Sequence, residues 1–177
     1  MLRIRGAIMS FDMTNPITFG LTEATLAQAA SWQKLIQVLM TETDTFLVAS
    51  VRDGDVVPET SALPAITLLL VAEQGTLEQP VGIASIEDGE IGMAILKQFQ
   101  GAGLGHSLMS ALLDWANETG LEKVWLDVQI DNEPAIHIYK KFEFENSGAP
   151  VKLALPTGRV TTLQRMEKIL NRQEGEL

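Results

Sequence analysis

The sequence predicts an α+β domain: a single central mixed sheet, mostly antiparallel, flanked by helices. Three observations carry this reading. Apolar runs of strand composition stand at 65–73, 81–86, 91–96 and 124–129, whereas the apolar residues of 21–40 and 104–119 recur near the helical period. Turn residues at Gln74-Gly75 and Asp88-Gly89 separate the first three of those strands by so little chain that they fold back as antiparallel neighbours. At 177 residues the chain suits one domain that can bury a substantial core without staples, and it shows no repeats and no low-complexity tract.

In chain order, residues 1–15 are expected to be a poorly ordered extension, or a first edge strand at Leu2 to Ile4. The folded domain is expected over 16–170 and a tail over 171–177. Ile17-Thr18-Phe19 reads as a short strand ended by Gly20. From 21 to 40, Leu26, Ala29, Ala30, Trp32, Leu35, Ile36, Leu39 and Met40 lie near helical spacing, with Thr22 where an N-cap belongs. Residues 41–64 carry Asp, Gly, Pro and Ser and read as a loop with one short helical or extended piece. The runs 65–73 and 81–86 form a hairpin around Gln74-Gly75 and a longish loop, and the next strand follows Asp88-Gly89. A helix at 104–119, a strand at 124–129, a helix after Asn132, and a last hairpin (150–155, Pro156-Thr157-Gly158, 160–169) complete the order.

The stretch Gln100-Gly101-Ala102-Gly103-Leu104-Gly105-His106 lies between a strand-like run and an amphipathic run, which describes a tight turn opening a helix. Glycine there permits positive φ and close approach of a ligand to the backbone. The first amides of a helix are unpaired donors at the positive end of its dipole, so this turn can hold a phosphate. It is not a P-loop, because His106 and Ser107 follow Gly105 where Lys and Ser or Thr are required. Nor is it a dinucleotide fingerprint: the third glycine would fall on His106 or Leu108. A glycine-rich turn holding no ligand remains the alternative at this point.

What is left, Q-x-x-G-x-G, resembles the pyrophosphate-binding signature of the GNAT superfamily of N-acetyltransferases, which use acetyl-CoA. A second stretch, Asp131-Asn132-Glu133-Pro134-Ala135-Ile136-His137-Ile138-Tyr139-Lys140-Lys141-Phe142-Glu143-Phe144, is similar to the same family's run of asparagine, alanine-isoleucine, tyrosine, a basic residue and glycine-phenylalanine. Glu143 replaces the usual glycine, which bears on the turn after the helix more than on the chemistry. The likeness spans roughly residues 80–168, with two motifs in the right order. It implies that Gln100, Gly101, Ala102, Gly103, Leu104, Gly105 and His106 hold the pyrophosphate, His106 through its backbone amide. It further implies that Asn132 and Ala135 meet the pantetheine arm, that Ile95 and Leu96 offer main-chain groups to it, and that the Tyr139 hydroxyl lies near the thiol. Asn132 fits helix capping equally well.

Composition narrows the partners. With no cysteine, disulfides, thiolate metal sites and a cysteine nucleophile are excluded, and two histidines argue against a histidine-rich metal site. No metal is expected. The longest apolar runs are far too short to span a bilayer and no signal-peptide core precedes Asp12, so a cytoplasmic chain with no membrane partner is expected. A formal net charge of −10 without a basic stripe argues against nucleic acid and favours a cationic amine, although the same charge serves solubility alone. A homodimer stays open.

The chemistry needs a base and an acid. An amine of pKa about 10 must lose a proton before it attacks a thioester, and the departing CoA thiolate benefits from a nearby acid. Tyr139, the only tyrosine, is the acid that the resemblance implies; packing of its ring is the alternative. Alternation puts Trp125, Asp127 and Gln129 on one strand face, making Asp127 a candidate base beside a cleft, with a solvated carboxylate as the bland alternative. Glu90 is the other candidate. Thr41-Glu42-Thr43-Asp44 can line an entrance favouring cations or cap a helix. Two function classes follow: an acetyl-CoA-dependent amine acetyltransferase acting on a small molecule or a protein terminus, and a non-catalytic CoA-binding module of the same fold.

Overall fold

The computed structural model describes residues 11–45, 63–155 and 157–170. Its centre is β2 (Ile66–Gln74), in which Leu68, Leu69, Leu70, Val71 and Ala72 are all buried. Five consecutive buried apolar residues mean that both faces of this strand are covered, so the alternation of a half-exposed strand is missing. β3 (Leu77–Glu87) returns antiparallel across Gly75-Thr76, with Gly75 at φ 62 as the first of two turn residues. β4 (Glu90–Ile95) follows Asp88-Gly89, both at positive φ (52 and 77) as a tight primed turn requires. The expected longish loop before residue 81 is therefore strand. Pro80 sits beside the register shift between Leu70 and Val71, a bulge that tolerates a residue lacking N–H.

β1 (Thr18–Glu23) pairs antiparallel with β2 from Thr18↔Glu73 to Glu23↔Leu68. It runs through Gly20, where the sequence reading ended the strand, and it occupies Thr22, which was expected to cap a helix. Six ladder positions against β2 override a local apolar pattern compatible with either structure. The helix instead begins later: a 3-10 turn at Leu26–Gln28 leads into α1 (Ala29–Glu42), which buries Leu35 and Leu39. Residues 46–62 of the expected loop, the Leu2 to Ile4 strand and the 171–177 tail lie outside the described residues. Residues 11–15 belong to the packed body: Phe11 meets Phe99 edge-on at 5.5 Å, and the Asp12 N–H donates to Gln74 Oε1 at 2.8 Å.

After β4 comes a 3-10 turn (Lys97–Phe99), then α2 (Leu104–Glu118), whose Leu108, Met109, Leu112, Leu113 and Ala116 form a buried stripe at helical spacing. β5 (Lys123–Gln129) is parallel to β4. α3 (Glu133–Lys141) leads to β6 (Glu145–Ala154) and β7 (Val160–Ile169), with β7 inserted between β5 and β6. β6 starts five residues earlier than expected, because a register shift between Ser147 and Val151 accommodates Gly148-Ala149-Pro150 within one strand. The seven strands run β1-β2-β3-β4-β5-β7-β6. No helix among the described residues is long and apolar enough to cross a membrane.

Glu143, in place of glycine after α3, adopts the left-handed conformation at φ 63. The backbone thus makes the turn that glycine would make, and the Glu143 carboxylate accepts from Lys168 Nζ at 3.0 Å.

Candidate active site

β4 and β5 pair only at Glu90↔Trp125, where the Trp125 N–H donates to the Gly89 carbonyl at 2.9 Å. Beyond this point the strands diverge, and a cavity of about 410 Å³ opens between them. The Leu96 N–H donates to the Val81 carbonyl at 2.9 Å, which fixes the alternation along β4: residues 96, 94 and 92 direct their backbone groups at β3. Met93 and Ile95 direct theirs at the gap. Of the expected pair, Ile95 turns its backbone groups to the gap, whereas the Leu96 N–H is committed to the sheet; Met93, which sequence reasoning did not single out, also faces the gap. Gln100 Nε2 donates to the Ile95 carbonyl at 2.9 Å and fastens the glycine turn to the end of β4.

In that turn Gly101 and Gly103 stand at φ 81 and 77, and Gly103 is the N-cap of α2. The Gly103 carbonyl accepts from both His106 N–H (3.1 Å) and Ser107 N–H (3.2 Å). The His106 amide, expected to face a ligand, is thereby drawn onto Gly103, and the His106 ring lies 4.5 Å from that of Phe142. Leu104 and Gly105 retain amides with no acceptor within the helix. Gln100, Gly101 and Gly105 line the cavity, whereas Ala102, Gly103, Leu104 and His106 stand outside it. A Cβ on Gly105 would come to 3.0 Å of Ile138 Cδ1, so any side chain there would crowd the approach of α2 to α3.

Asn132 caps α3, its Oδ1 accepting from the Ala135 N–H at 3.4 Å, and Pro134 lies in the first turn. Asn132, Ala135 and Tyr139 share one helix face and all line the cavity. The capping role thus coexists with a position on the gap. Tyr139 is 8% exposed, and burial pushes its hydroxyl up to about 12, so the group is protonated at neutral pH. Its hydroxyl makes no hydrogen bond among the described residues.

The opposite sheet face carries the carboxylates. Glu90, Trp125 and Asp127 lie on it by register and alternation, and Arg165 stands opposite Asp127 on β7. Arg165 Nε donates to Asp127 Oδ1 at 3.0 Å and Nη2 to Oδ2 at 2.8 Å, while its Cζ lies 3.9 Å from the Trp125 ring centroid. Asp127 lines the cavity; Glu90, half-buried, does not. Burial first, then the neighbouring Asp127 charge, raises the Glu90 carboxyl above its ordinary value, partly opposed by Arg165. Of the stretch 41–44 at the end of α1, Glu42 and Thr43 reach the cavity. The Glu42 carboxylate accepts from the Lys97 N–H at 2.8 Å.

Asp44 is held elsewhere. Arg159 Nε and Nη2 donate to its two oxygens at 2.7 and 3.0 Å, and Nη1 donates to Asp131 at 3.1 Å. Gln129 joins the same cluster, accepting from Arg159 and donating to the Asp44 carbonyl at 2.8 Å. Arg159 and Arg165 were not singled out by sequence reasoning. Each is a lone arginine in a strand hairpin, and its partners are 28 to 115 residues away in sequence; the register of β7 sets Arg165 opposite Asp127, and Arg159 meets Asp44 and Asp131 only through tertiary packing.

A profile of the Acetyltransferase (GNAT) family matches residues 32–144. The chain is 31% identical over 90 residues to spermidine N(1)-acetyltransferase from Vibrio cholerae, covering 48% of this chain and 52% of that protein. It is 40% identical over 55 residues to an N-alpha-acetyltransferase from Sulfolobus acidocaldarius, covering 30% and 33%. The chain thus spans about half the length of the first relative and a third of the second. The crystal structure of spermidine N-acetyltransferase from Vibrio cholerae in complex with CoA and spermine superposes with a TM-score of 0.66 at 17% identity, over 86% of this chain and 95% of that one. With the glycine turn, the divergent strands and a family profile covering well over half of its length, the chain belongs to the GNAT acetyltransferase family.

Proposed function

We propose that this chain transfers an acetyl group from acetyl-CoA to a primary amine by direct attack within a ternary complex. The carrying observation is that the cavity passes between the separated ends of β4 and β5. It therefore joins the side of α2 and α3 to the carboxylate-bearing face. On the first side, the Leu104 and Gly105 amides suit the pyrophosphate, and Asn132, Ala135 and the open edge of β4 suit the pantetheine arm. On the second side, Asp127, Glu42 and the nearby Glu90 suit a cationic amine.

The amine gives up a proton to the carboxylates of this face, and its freed lone pair attacks the thioester carbonyl. A main-chain N–H at Met93 or Ile95 faces the oxyanion. As the C–S bond breaks, the Tyr139 hydroxyl supplies a proton to the leaving thiolate. The acceptor is a small-molecule amine or a protein N-terminus; relatives named for each, acting on spermidine and on α-amino groups, support the class. The test is acetyl-dependent release of CoA thiol against a panel of polyamines, amino acids and short peptides with free N-termini. Turnover on at least one cationic amine is expected. Tight acetyl-CoA binding with no turnover on any amine would mark a CoA-binding module instead.

A further inference from the structure

Arg165 links three side chains of the acceptor face. It occupies both oxygens of Asp127, its Cζ lies 3.9 Å over the Trp125 ring, and Trp125 is the register partner of Glu90. A proton taken by Asp127 would displace one of two charge-assisted bonds. The Glu90 carboxylate has no hydrogen-bond partner among the described residues. Between Glu90 and the cavity-lining Ala94 on the same face stands Gly92, which adds no side chain to that face; a Cβ there would lie 3.3 Å from Ser85 Oγ.

We propose that Arg165 is a positioning residue that separates the roles of the two carboxylates: it fixes Asp127 as the counter-charge of the incoming ammonium and leaves Glu90 to take the proton. This rests on the amine-acetylation reading above. In the step, an ammonium N–H bond breaks, the proton passes through a bridging water from the cavity to Glu90, an O–H bond forms there, and the electron pair stays on nitrogen. The charged groups around Glu90 are Asp127 and Lys123 of β5, Arg165 and Glu167 of β7, and Glu87 and Asp88 at the β3–β4 turn. The direction of the Glu90 shift accords with this environment.

The signs follow. Removing the Arg165 charge takes away an influence that lowers Glu90, so Glu90 should titrate at higher pH. Removing the Asp127 charge takes away one that raises it and releases Arg165, so Glu90 should titrate at lower pH. The experiment follows the Glu90 carboxyl by NMR in the intact protein without ligands, and the pH profile of kcat at saturating amine, for wild type, Arg165→Gln, Arg165→Lys and Asp127→Asn. Arg165→Gln should move both the Glu90 midpoint and the acid limb of kcat upward, with roughly tenfold loss near neutral pH recovered at high pH. Arg165→Lys should keep both near wild type, and Asp127→Asn should move both downward. A Glu90 midpoint indifferent to Arg165→Gln and Asp127→Asn, or an Asp127→Asn enzyme inactive at every pH, overturns the inference. The NMR arm needs no acceptor: shifting midpoints with a wild type inert toward all amines would sink the acetylation reading alone.

Discussion

Gly105 and Ile138 hold the two halves of the site together: α2 approaches α3 so closely that a Cβ on Gly105 would stand 3.0 Å from Ile138 Cδ1. The glycine turn and Tyr139 are therefore placed relative to one another across a contact that a larger side chain at 105 would crowd. Gly105→Val should cost about 1–3 kcal/mol through overpacking. It should also weaken acetyl-CoA binding, because it displaces α3 and its Asn132 and Tyr139. Gly103 differs: no atom lies within 4 Å of its would-be Cβ, but its φ is +77. Gly103→Val should therefore act by backbone strain and by blocking ligand approach. Calorimetry of acetyl-CoA binding with thermal unfolding of both variants checks this; unchanged affinity in both would remove the turn from the cofactor site.

Glu143 carries backbone strain where the family motif has glycine. Glu143→Gly relieves a left-handed non-glycine residue, worth about 1–2 kcal/mol, and loses an ion pair whose glutamate is 84% exposed. Such a pair contributes about 0–1 kcal/mol. The variant should be at least as stable as wild type with unchanged turnover. A marked fall in Tm would show that the Lys168 pairing governs the turn.

Tyr139→Phe should lower kcat by roughly 10²-fold while leaving acetyl-CoA affinity intact, since the ring and its packing remain. The loss should be least at high pH, where the thiolate leaves readily as an anion. Tyr139 is the only tyrosine, so phenolate absorbance reports it alone. Burial pushes it from 10.0 up to about 12. A raised folded-state value means that its contribution to stability is full below pH 10 and is lost as pH rises from 10 towards 12. Phenolate should accordingly appear well above pH 10 or together with unfolding. A midpoint at 10 in the folded protein would place the hydroxyl in bulk water.

Arg159 fastens the end of α1 to the β5–α3 turn through Asp44, Asp131 and Gln129. Its hydrogen bonds hold the Asp44 carboxyl below the ordinary value, so this clasp should persist at neutral and mildly acid pH and open only as pH falls below 3.8. Arg159→Ala should raise KM for the amine several-fold, roughly the scale of a lost positioning contact, with little change in acetyl-CoA affinity. An equal loss on both substrates would mean that the clasp supports the whole fold.

The parts of the site encoded in contiguous chain were legible in the sequence. Asn132, Ala135 and Tyr139 fall on one helix face by spacing alone, and the glycines of 101–105 announce a turn before a helix. What long-range pairing decides was not legible. Leu77-Glu78-Gln79-Pro80 reads as loop because of its polar residues and proline, and only the bulge opposite Leu70 and Val71 makes it strand. Leu21 to Glu23 fits a helical pattern until β2 offers a ladder. The parity that turns Met93 rather than Leu96 towards the gap is set by one bond to Val81, the partner of Arg165 depends on the register of β7, and those of Arg159 depend on tertiary packing of the turns.

In the proposed reaction acetyl-CoA and the amine meet in one cavity from opposite sides of the sheet and react without a covalent protein intermediate. Initial rates over a grid of acetyl-CoA and amine concentrations decide this. Double-reciprocal lines that intersect, with no acetyl group on the protein after incubation with acetyl-CoA alone, are the predicted result. Parallel lines with an isolable acetyl-protein would contradict it, because they would require a covalent intermediate in place of a ternary complex.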